Sequence, residues 1–389
     1  GNQAVVRPRL ADATFFYQQD LVRSLSSRLE QLKKLSFFSG LGSMKEKSTC
    51  CTDLARFLTN KDEWQDVAQS ATLAAELCKC DLTSLMVQEF PELQGIIGGY
   101  YLEEELSQGT EYISGYTAED VHQASQAITE HYLPKRAGDA IAASKAGKVL
   151  AIVERMDKLI GLFHKGQKPG GEKDPYALRR TALGLARTII ESEVFIDLRE
   201  LGEESVKCYK THNAIAIEAT TIEEVLEFIN ERVCAYGREQ HLATDSLDAV
   251  FCSPQADLYD AWLRTQAIED KRSSHINSLV GINKRLKNIL GKHGIDSVAV
   301  NEKLFTTEQE RQVFKILADI RNDLDRSCAD KEYAKCFELL NGLSEPLEDF
   351  FDQVMVMVED KPLRENRLIL LGIIHKQFLK VADFSRIAT

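Results

Sequence analysis

Cys80 and Asp81, side by side, together with His131 and Asp157, are the residues of the first half of the chain with the types to hold a metal ion. Carboxylate and imidazole ligands suit Mg, Mn or Fe. Asp157 lies in 145-KAGKVLAIVERMDKLIGLFHKG-166 on the helical face that carries Val149, Val153, Met156 and Ile160, so it points inward. His131 ends the preceding helix, with Pro134 and Gly138 close behind. A working centre needs more histidines than this region offers: only His122 and His164 are near, and neither adjoins an aspartate. The plainer chemistry is preferred: a buried Asp–His hydrogen bond that ties two helices together, with His131 and Asp157 structural and no metal expected.

Two further stretches suit phosphate. In 166-GQKPGGEKDP-175, glycines alternate with lysines just ahead of a helix start, where backbone amides and the positive end of the helix dipole can cradle an anion. No G-K-[ST] closes it, so it is not a Walker A loop, and a mobile connection between domains accounts for it equally well. In 281-GINKRLKNIL-290, Ile282, Leu286, Ile289 and Leu290 make one face, and Lys284 and Lys287 form a polar column flanked by Arg285 and Asn288. Such a helix can hold phosphates and read base edges; plain solvation explains the same charges. The nearest aromatic rings able to stack on a base are Tyr259 and Trp262, one helix earlier. In 350-FFDQVMVMVEDKPLRENRLILLGIIHKQF-378, two apolar helices meet at a Glu-Asp-Lys-Pro turn, and Met355 and Met357 read as core. Arg364 and Arg367, in the first turns of the second helix, suit a structural or an RNA-facing role. No Ser-His-Asp or Cys-His nucleophile pattern and no dinucleotide fingerprint appears, so no catalytic residue is expected.

One arginine stands out. In 173-KDPYALRRTALGLARTII-190, Asp174 reads as the N-cap and Pro175 as the first helical residue. Leu178, Ala182, Leu183, Leu185, Ala186, Ile189 and Ile190 then cover one apolar arc, with Arg180, Arg187 and Glu191 opposite, as solvated charges. Arg179 falls inside the arc. A bare guanidinium there must find a carboxylate, carbonyls or a phosphate.

The elements that position these groups are helical almost throughout. Segment 71-ATLAAELCKCDLTSLMVQEF-90 places Ala71, Ala74, Ala75, Cys78, Leu82, Leu85 and Met86 on one face, and 118–134 and 222–236 repeat the helical period. Eight prolines in 389 residues is below the usual ~5% and favours long helices. No strand pattern and no internal repeat is evident. The loop 166–175 and the break at 253-SPQAD-257 are candidate boundaries. No apolar run approaches the ~20 residues of a membrane span, and no signal peptide opens the chain. The chain begins GNQAVV rather than with Met, which reads as a fragment.

Nine cysteines without a C-x-x-C pair read as reduced thiols of a cytoplasmic protein rather than zinc ligands. A net charge of −12 argues against nonspecific nucleic-acid binding, DNA included, by the whole surface. The charge is uneven, however. Glu191 to Arg232 holds eleven acidic residues against four basic, a net of −7. Lys165 to Arg187 holds six basic against two acidic (+4), and Arg264 to His293 seven Lys/Arg, at 264, 271, 272, 284, 285, 287 and 292, against Glu269 and Asp270 (+5). Basic patches within an acidic protein suggest a chosen surface.

Five blocks, in order along nearly the whole chain, resemble one family: 7-RPRLADATFFYQQD-20, 79-KCDLTSLMVQEFPELQGIIGGYY-101, 130-EHYLPKRAGD-139, 173-KDPYALRR-180 and 350-FFDQVMVMVEDKPLRENRLILL-371 with 381-VADFS-385. The family is the β subunit of bacterial-type heterotetrameric glycyl-tRNA synthetase. The resemblance implies an all-α, multidomain C-terminal portion: an N-terminal helical segment (1–45), a degenerate HD-type phosphohydrolase scaffold (46–165), a helical linker or body (166–240) and a helical anticodon-binding bundle (241–389). It places Cys80-Asp81 where the HD superfamily has its His-Asp pair and Asp157 at its distal aspartate. A cysteine in the histidine's place implies no metal and no hydrolysis. The last third is similar to the anticodon-binding module shared with arginyl-tRNA synthetases, whose pattern Arg264, Lys284, Arg285 and Asn288 match. The resemblance further implies glycine tRNA and an α subunit as partners in an α2β2 assembly, ATP used by the α catalytic core, and no cofactor in this chain. Arg180, Arg187, Arg264, Lys284, Arg285, Lys287, Asn288, Arg364 and Arg367 are then expected to face tRNA. For Arg179, an internal anchor to the HD-like helices is preferred over a phosphate contact.

Overall fold

The computed structural model of the chain covers residues 2–136, 138–171, 173–272, 276–291 and 299–388, with the backbone alone for residues 2–8. Among these residues helices dominate; two isolated β-bridges, Ser36 with Ser43 and Gly170 with Lys173, are the only extended pairings. The all-α expectation holds. Contacts sort the chain into two compact units, Gly1–Val233 and Cys234–Thr389.

The first unit contains α1 (Asn2–Asp20), α2 (Met44–Thr59), α3 (Ala68–Leu77), α4 (Leu85–Glu89), α5 (Ile96–Gln108), α6 (Ala118–Glu130), α7 (Lys145–His164), α8 (Leu178–Glu191), α9 (Leu198–Asn213) and the start of α10 (Thr220–Glu239). The helix α7 is the hub: α2, α3, α6, α8 and α9 all pack on it. Its sequence explains this: beyond the first turn, and apart from one charged turn, apolar residues fall on every side of the helix, and such a helix packs as an interior one. Ser144 starts it by accepting from the Gly147 amide, and capping boxes at Ser43–Glu46 and Thr117–Asp120 start α2 and α6. Asp20, at the end of α1, is buried and fully partnered: it accepts from Arg28, from the Tyr101 hydroxyl and from the amides of Leu85 and Met86. That one carboxylate fastens the end of α1 to the start of α4 and to Tyr101 of α5.

One start differs from the sequence reading. The helix α8 begins at Leu178 rather than Pro175, because Ala177 takes a left-handed φ of 55°. The Asp174 carboxylate still caps it, accepting from the Leu178 and Arg179 amides at 2.7 and 2.9 Å.

The second unit holds α11 (Thr244–Val250), α12 (Leu258–Lys271), α13 (Ile276–Leu290), α14 (Glu308–Ala329), α15 (Tyr333–Asn341), α16 (Ser344–Gln353) and α17 (Lys361–Leu379). Its core sets Leu279, Ile282 and Leu286 of α13 with Phe337, Phe350, Phe378 and Phe384. Phe384 stands edge-on to Phe337 and Phe378. Between α16 and α17 the chain is extended from Val354, so side chains alternate: Val354 and Val356 are buried, and Met355 and Met357 are exposed. The expectation that these methionines are core is therefore overturned by a strand-like period where a helical one was read.

Candidate functional site

The middle of α7 carries the charged turn Glu154, Arg155, Asp157 and Lys158, within an otherwise apolar helix. The structure matches these charges from neighbouring helices. Lys47 of α2 donates to Asp157 Oδ2 at 2.8 Å and lies 3.5 Å from Glu154; Lys79 lies 3.4 Å from Glu154. Burial is the largest influence on both ammonium groups and works against them, but Asp157 and Glu154 together outweigh it at Lys47, and Glu154 with Tyr132 and Cys78 outweighs it at Lys79, so both pKa values rise. Burial alone would also raise Glu154; Lys79 and Lys47 together hold its carboxyl well below the usual range.

His131 and Asp157 are not bonded to one another, which corrects the Asp–His hydrogen bond expected from the sequence. Each is instead held by a lysine. His131 places Nδ1 2.6 Å from the Ile128 carbonyl and Nε2 3.1 Å from the Lys79 ammonium. A carbonyl can only accept and an ammonium only donate, so Nδ1 carries the proton and Nε2 the lone pair. Burial and the Lys79 charge accordingly push the histidine pKa well down. Arg155 donates to the carbonyls of His131, Ala151 and Leu133, and α8 approaches it so closely that a Cβ on Gly184 would lie 2.8 Å from Arg155 Nε. Asp81 is buried; its Oδ2 accepts from the Gly95 amide and its Oδ1 has no partner. Burial raises the Cys80 thiol far above its usual range, which keeps it protonated.

The arginines of α8 sort differently from the helical wheel. Arg179 donates to the Gly171 carbonyl at 2.6 Å, so it fastens the 166–175 loop rather than the hub helices. Arg180 is exposed, as expected. Arg187 is buried, not solvated: it pairs with Glu191 and donates to the Asp139 carbonyl. The apolar arc is wider than the wheel allowed, and the Asp139 turn folds over its edge.

In the second unit, Arg264 is buried and engaged by Asp260, Gln255 and the Val381 carbonyl. Arg367 is buried against Glu310, and Arg364 donates to the Val358 carbonyl. Trp262 is buried and stacked on Tyr236, so it offers no free face. On α13, Lys287 is paired with Asp383, and Arg285 lies over the Phe351 ring near Asp352. Lys284 is half-buried and Asn288 exposed; among the described residues neither side chain has a polar partner. Lys292 and His293, the end of the basic patch, lie outside the described residues.

Residues 1–252 match the family described as glycyl-tRNA synthetase beta subunit. The chain belongs to that family. Residues 282–383 also match the DALR anticodon binding domain, a range that takes in most of α13 and all of α14 to α17. The glycine–tRNA ligase beta subunit of Methylobacillus flagellatus is 36% identical over 394 residues, covering 100% of this chain and 53% of that protein. That of Dichelobacter nodosus is 38% identical over 389 residues, covering 100% and 54%. That of Syntrophomonas wolfei is 35% identical over 391 residues, again covering 100% and 54%. The chain thus spans about half the length of these curated relatives.

Within this member of the glycyl-tRNA synthetase beta-subunit family, Cys80, His131 and Asp157, the residues with the types to hold a metal ion, do not fit one. The His131 Nε2 lone pair is taken by Lys79, Asp157 Oδ2 is taken by Lys47, and the Cys80 thiol stays protonated. Among the described residues no three His, Cys, Asp or Glu side chains gather into a metal-holding group. Sequence reasoning found Asp157 and His131 but missed Lys47, Lys79, Glu154, Arg155 and Lys158. The signal was available in 154-ERMDK-158: a charged turn inside an apolar helix obliges its neighbours to supply counter-charges.

Asp81 gives a pH test of this centre. Burial raises its pKa from 3.8 to about 6, so the native state binds a proton more tightly than the unfolded chain does. Its contribution to stability therefore falls as pH rises from 3.8 through about 6. Asp81→Asn removes that dependence. Relative to the parent, the variant is expected to gain about 2 kcal/mol between about pH 4 and pH 7.5, read from urea midpoints. A difference that does not change with pH would show the carboxylate to be ionised in both states.

Proposed function

We propose that this chain is the tRNA-binding portion of a glycine–tRNA ligase β subunit. In this reading it grips glycine tRNA at the anticodon arm and the acceptor region and positions it for charging by the α subunit's ATP-using catalytic core, in a cytoplasmic α2β2 assembly. The chain itself supplies no catalytic residue and no cofactor. Its contribution is orientation, which converts binding energy on remote parts of the tRNA into placement of the reacting end.

The observation that carries this reading is the stripe of half-buried Lys284 and exposed Arg285 and Asn288 on α13, inside the region that matches an anticodon-binding domain. Lysine supplies a phosphate contact and the amide of Asn288 can read a base edge. Arg180, Lys287 and Arg364 keep enough exposure to add contacts. Arg187, Arg264 and Arg367 are consumed by internal bonds and shape the surface rather than touch RNA.

Lys284→Glu combined with Asn288→Glu changes two side chains that hold nothing else in place, so the fold should survive. Binding of glycine tRNA is expected to weaken about tenfold or more, with the salt slope reduced by about one, while the melting temperature stays that of the parent. The readout is filter binding at two salt concentrations, with a noncognate tRNA alongside. Unchanged affinity in the double variant would reduce α13 to a solvated helix face and favour a protein-binding scaffold.

A further inference from the structure

The ion pairs at the centre of the first unit do not use all of its cations. Lys47 and Lys79 are matched to Asp157 and Glu154. Arg155, only 6% exposed, meets backbone carbonyls and no carboxylate. Lys158 is half-buried one position beyond Asp157, and Arg180 lies on the first turn of α8; among the described residues neither has a hydrogen-bonding or ion-pair partner. Even with Asp81 counted as ionised, Lys47, Lys79, Arg155 and Lys158 outnumber Asp81, Glu154 and Asp157.

The surplus is gathered in one place. Arg155, Lys158 and Arg180 line a single cavity of about 330 Å³, with Lys135 also on its wall. Glu154 and Glu92 are the carboxylates of that wall, and Glu154 is already neutralised by two lysines. The volume falls at the small end of the roughly 300–1,000 Å³ range of ligand pockets.

We propose that this cavity is a binding site for a phosphate-type anion, with Lys158 and Arg180 as its side-chain ligands and the buried Arg155 guanidinium as fixed positive charge in its wall. The chemistry selects phosphate over a simple carboxylate. A dianion neutralises both unpaired cations, whereas a monoanion leaves one of them over, and the arginine fork and the lysine point charge are the two side chains that bind phosphate best. Burial pulls the Lys158 pKa down, and the neighbouring Lys47, Lys79 and Arg155 add to that against the pull of Glu154, so an anion in the cavity relieves a standing electrostatic cost. The site does not depend on tRNA contacts by α13. The phosphate has two possible sources: a free phosphomonoester, or the backbone of a bound RNA.

The test is calorimetric titration of inorganic phosphate into the 389-residue chain at low ionic strength. The parent is expected to show one saturable site, weakened about tenfold or more by Lys158→Gln and by Arg180→Gln alike. Lys158→Gln breaks no bond, so its phosphate-free melting temperature should equal or exceed the parent's, and phosphate should raise the melting temperature of the parent alone. Competition then identifies the source. Displacement by adenosine monophosphate assigns a free nucleotide, displacement by tRNA assigns a backbone phosphate, and displacement by neither leaves inorganic phosphate as the ligand. Absence of saturable phosphate binding in the parent, or equal binding by both variants, overturns the site; either result leaves tRNA binding through α13 untouched.

Discussion

Lys47→Met is expected to destabilise the first unit by about 3–5 kcal/mol, the cost typical of breaking a buried ion pair from one side. The ammonium is almost fully enclosed, donates to Asp157 Oδ2 and sits beside Glu154, with its charge also over the Phe37 ring. Methionine fills most of the lysine's volume, so the loss comes chiefly from Asp157, a carboxylate with no exposed surface and no other cation in contact. Lys79 remains for Glu154 but does not pair with Asp157. The companion variant makes the cause visible: Lys47→Met with Asp157→Leu removes both charges, and the pair is expected to recover most of the loss. Urea unfolding followed by circular dichroism gives both numbers, with the transition of the first unit fitted separately because a chain of two units need not unfold in one step. A single-variant loss below about 1 kcal/mol would mean that water reaches Asp157 and that the centre is a surface network.

What the sequence made legible, and what it hid, follows from how far each signal reaches. Helical period is local, and it gave the α-helical class, the inward direction of Asp157 and the exposure of Arg180. Caps are nearly as local; Asp174 was read as a cap and is one, although the left-handed Ala177 moved the helix start beyond it. The errors come where a third element decides. Arg187 lies at the edge of its helix's apolar arc and is buried only because the Asp139 turn covers it. Met355 and Met357 follow a two-residue period that a helical reading of an apolar run cannot distinguish over so short a span. The partners of Asp157 and His131 are lysines 110 and 52 residues away in the chain, which no spacing rule connects. The resemblance supplied the family, which local physics did not. It could not say that Arg264 and Arg367, which match or neighbour the anticodon-binding pattern, spend their guanidinium groups inside the protein.

Arg367→Leu is the sharpest test of that last point. The guanidinium donates to Glu310 Oε1 at 2.8 Å, to the Thr306 hydroxyl at 2.9 Å and to the Met355 carbonyl at 2.8 Å, so it joins α17, the start of α14 and the extended segment after α16. Glu310 has no exposed surface and also closes the capping box of α14 with Thr307. Burial would raise the Glu310 pKa, but Arg367 and the bonds from Thr306 and Thr307 bring it down to about 2. Removing the arginine leaves this carboxylate buried without a cation, and the second unit is expected to lose about 3–5 kcal/mol. The pH dependence supplies a second readout. With a folded pKa below the unfolded one, Glu310 stabilises the parent fully above about 4.5 and progressively less as pH falls toward about 2. In Arg367→Leu that acid-sensitive part should largely disappear, while the whole stability curve drops. An RNA-contacting arginine predicts the opposite pattern: tRNA affinity lost, with unfolding midpoint and acid response both unchanged. Arg367→Lys separates charge from geometry, because an ammonium can neutralise Glu310 but cannot reach the threonine and the Met355 carbonyl at once, and it should recover only part of the loss.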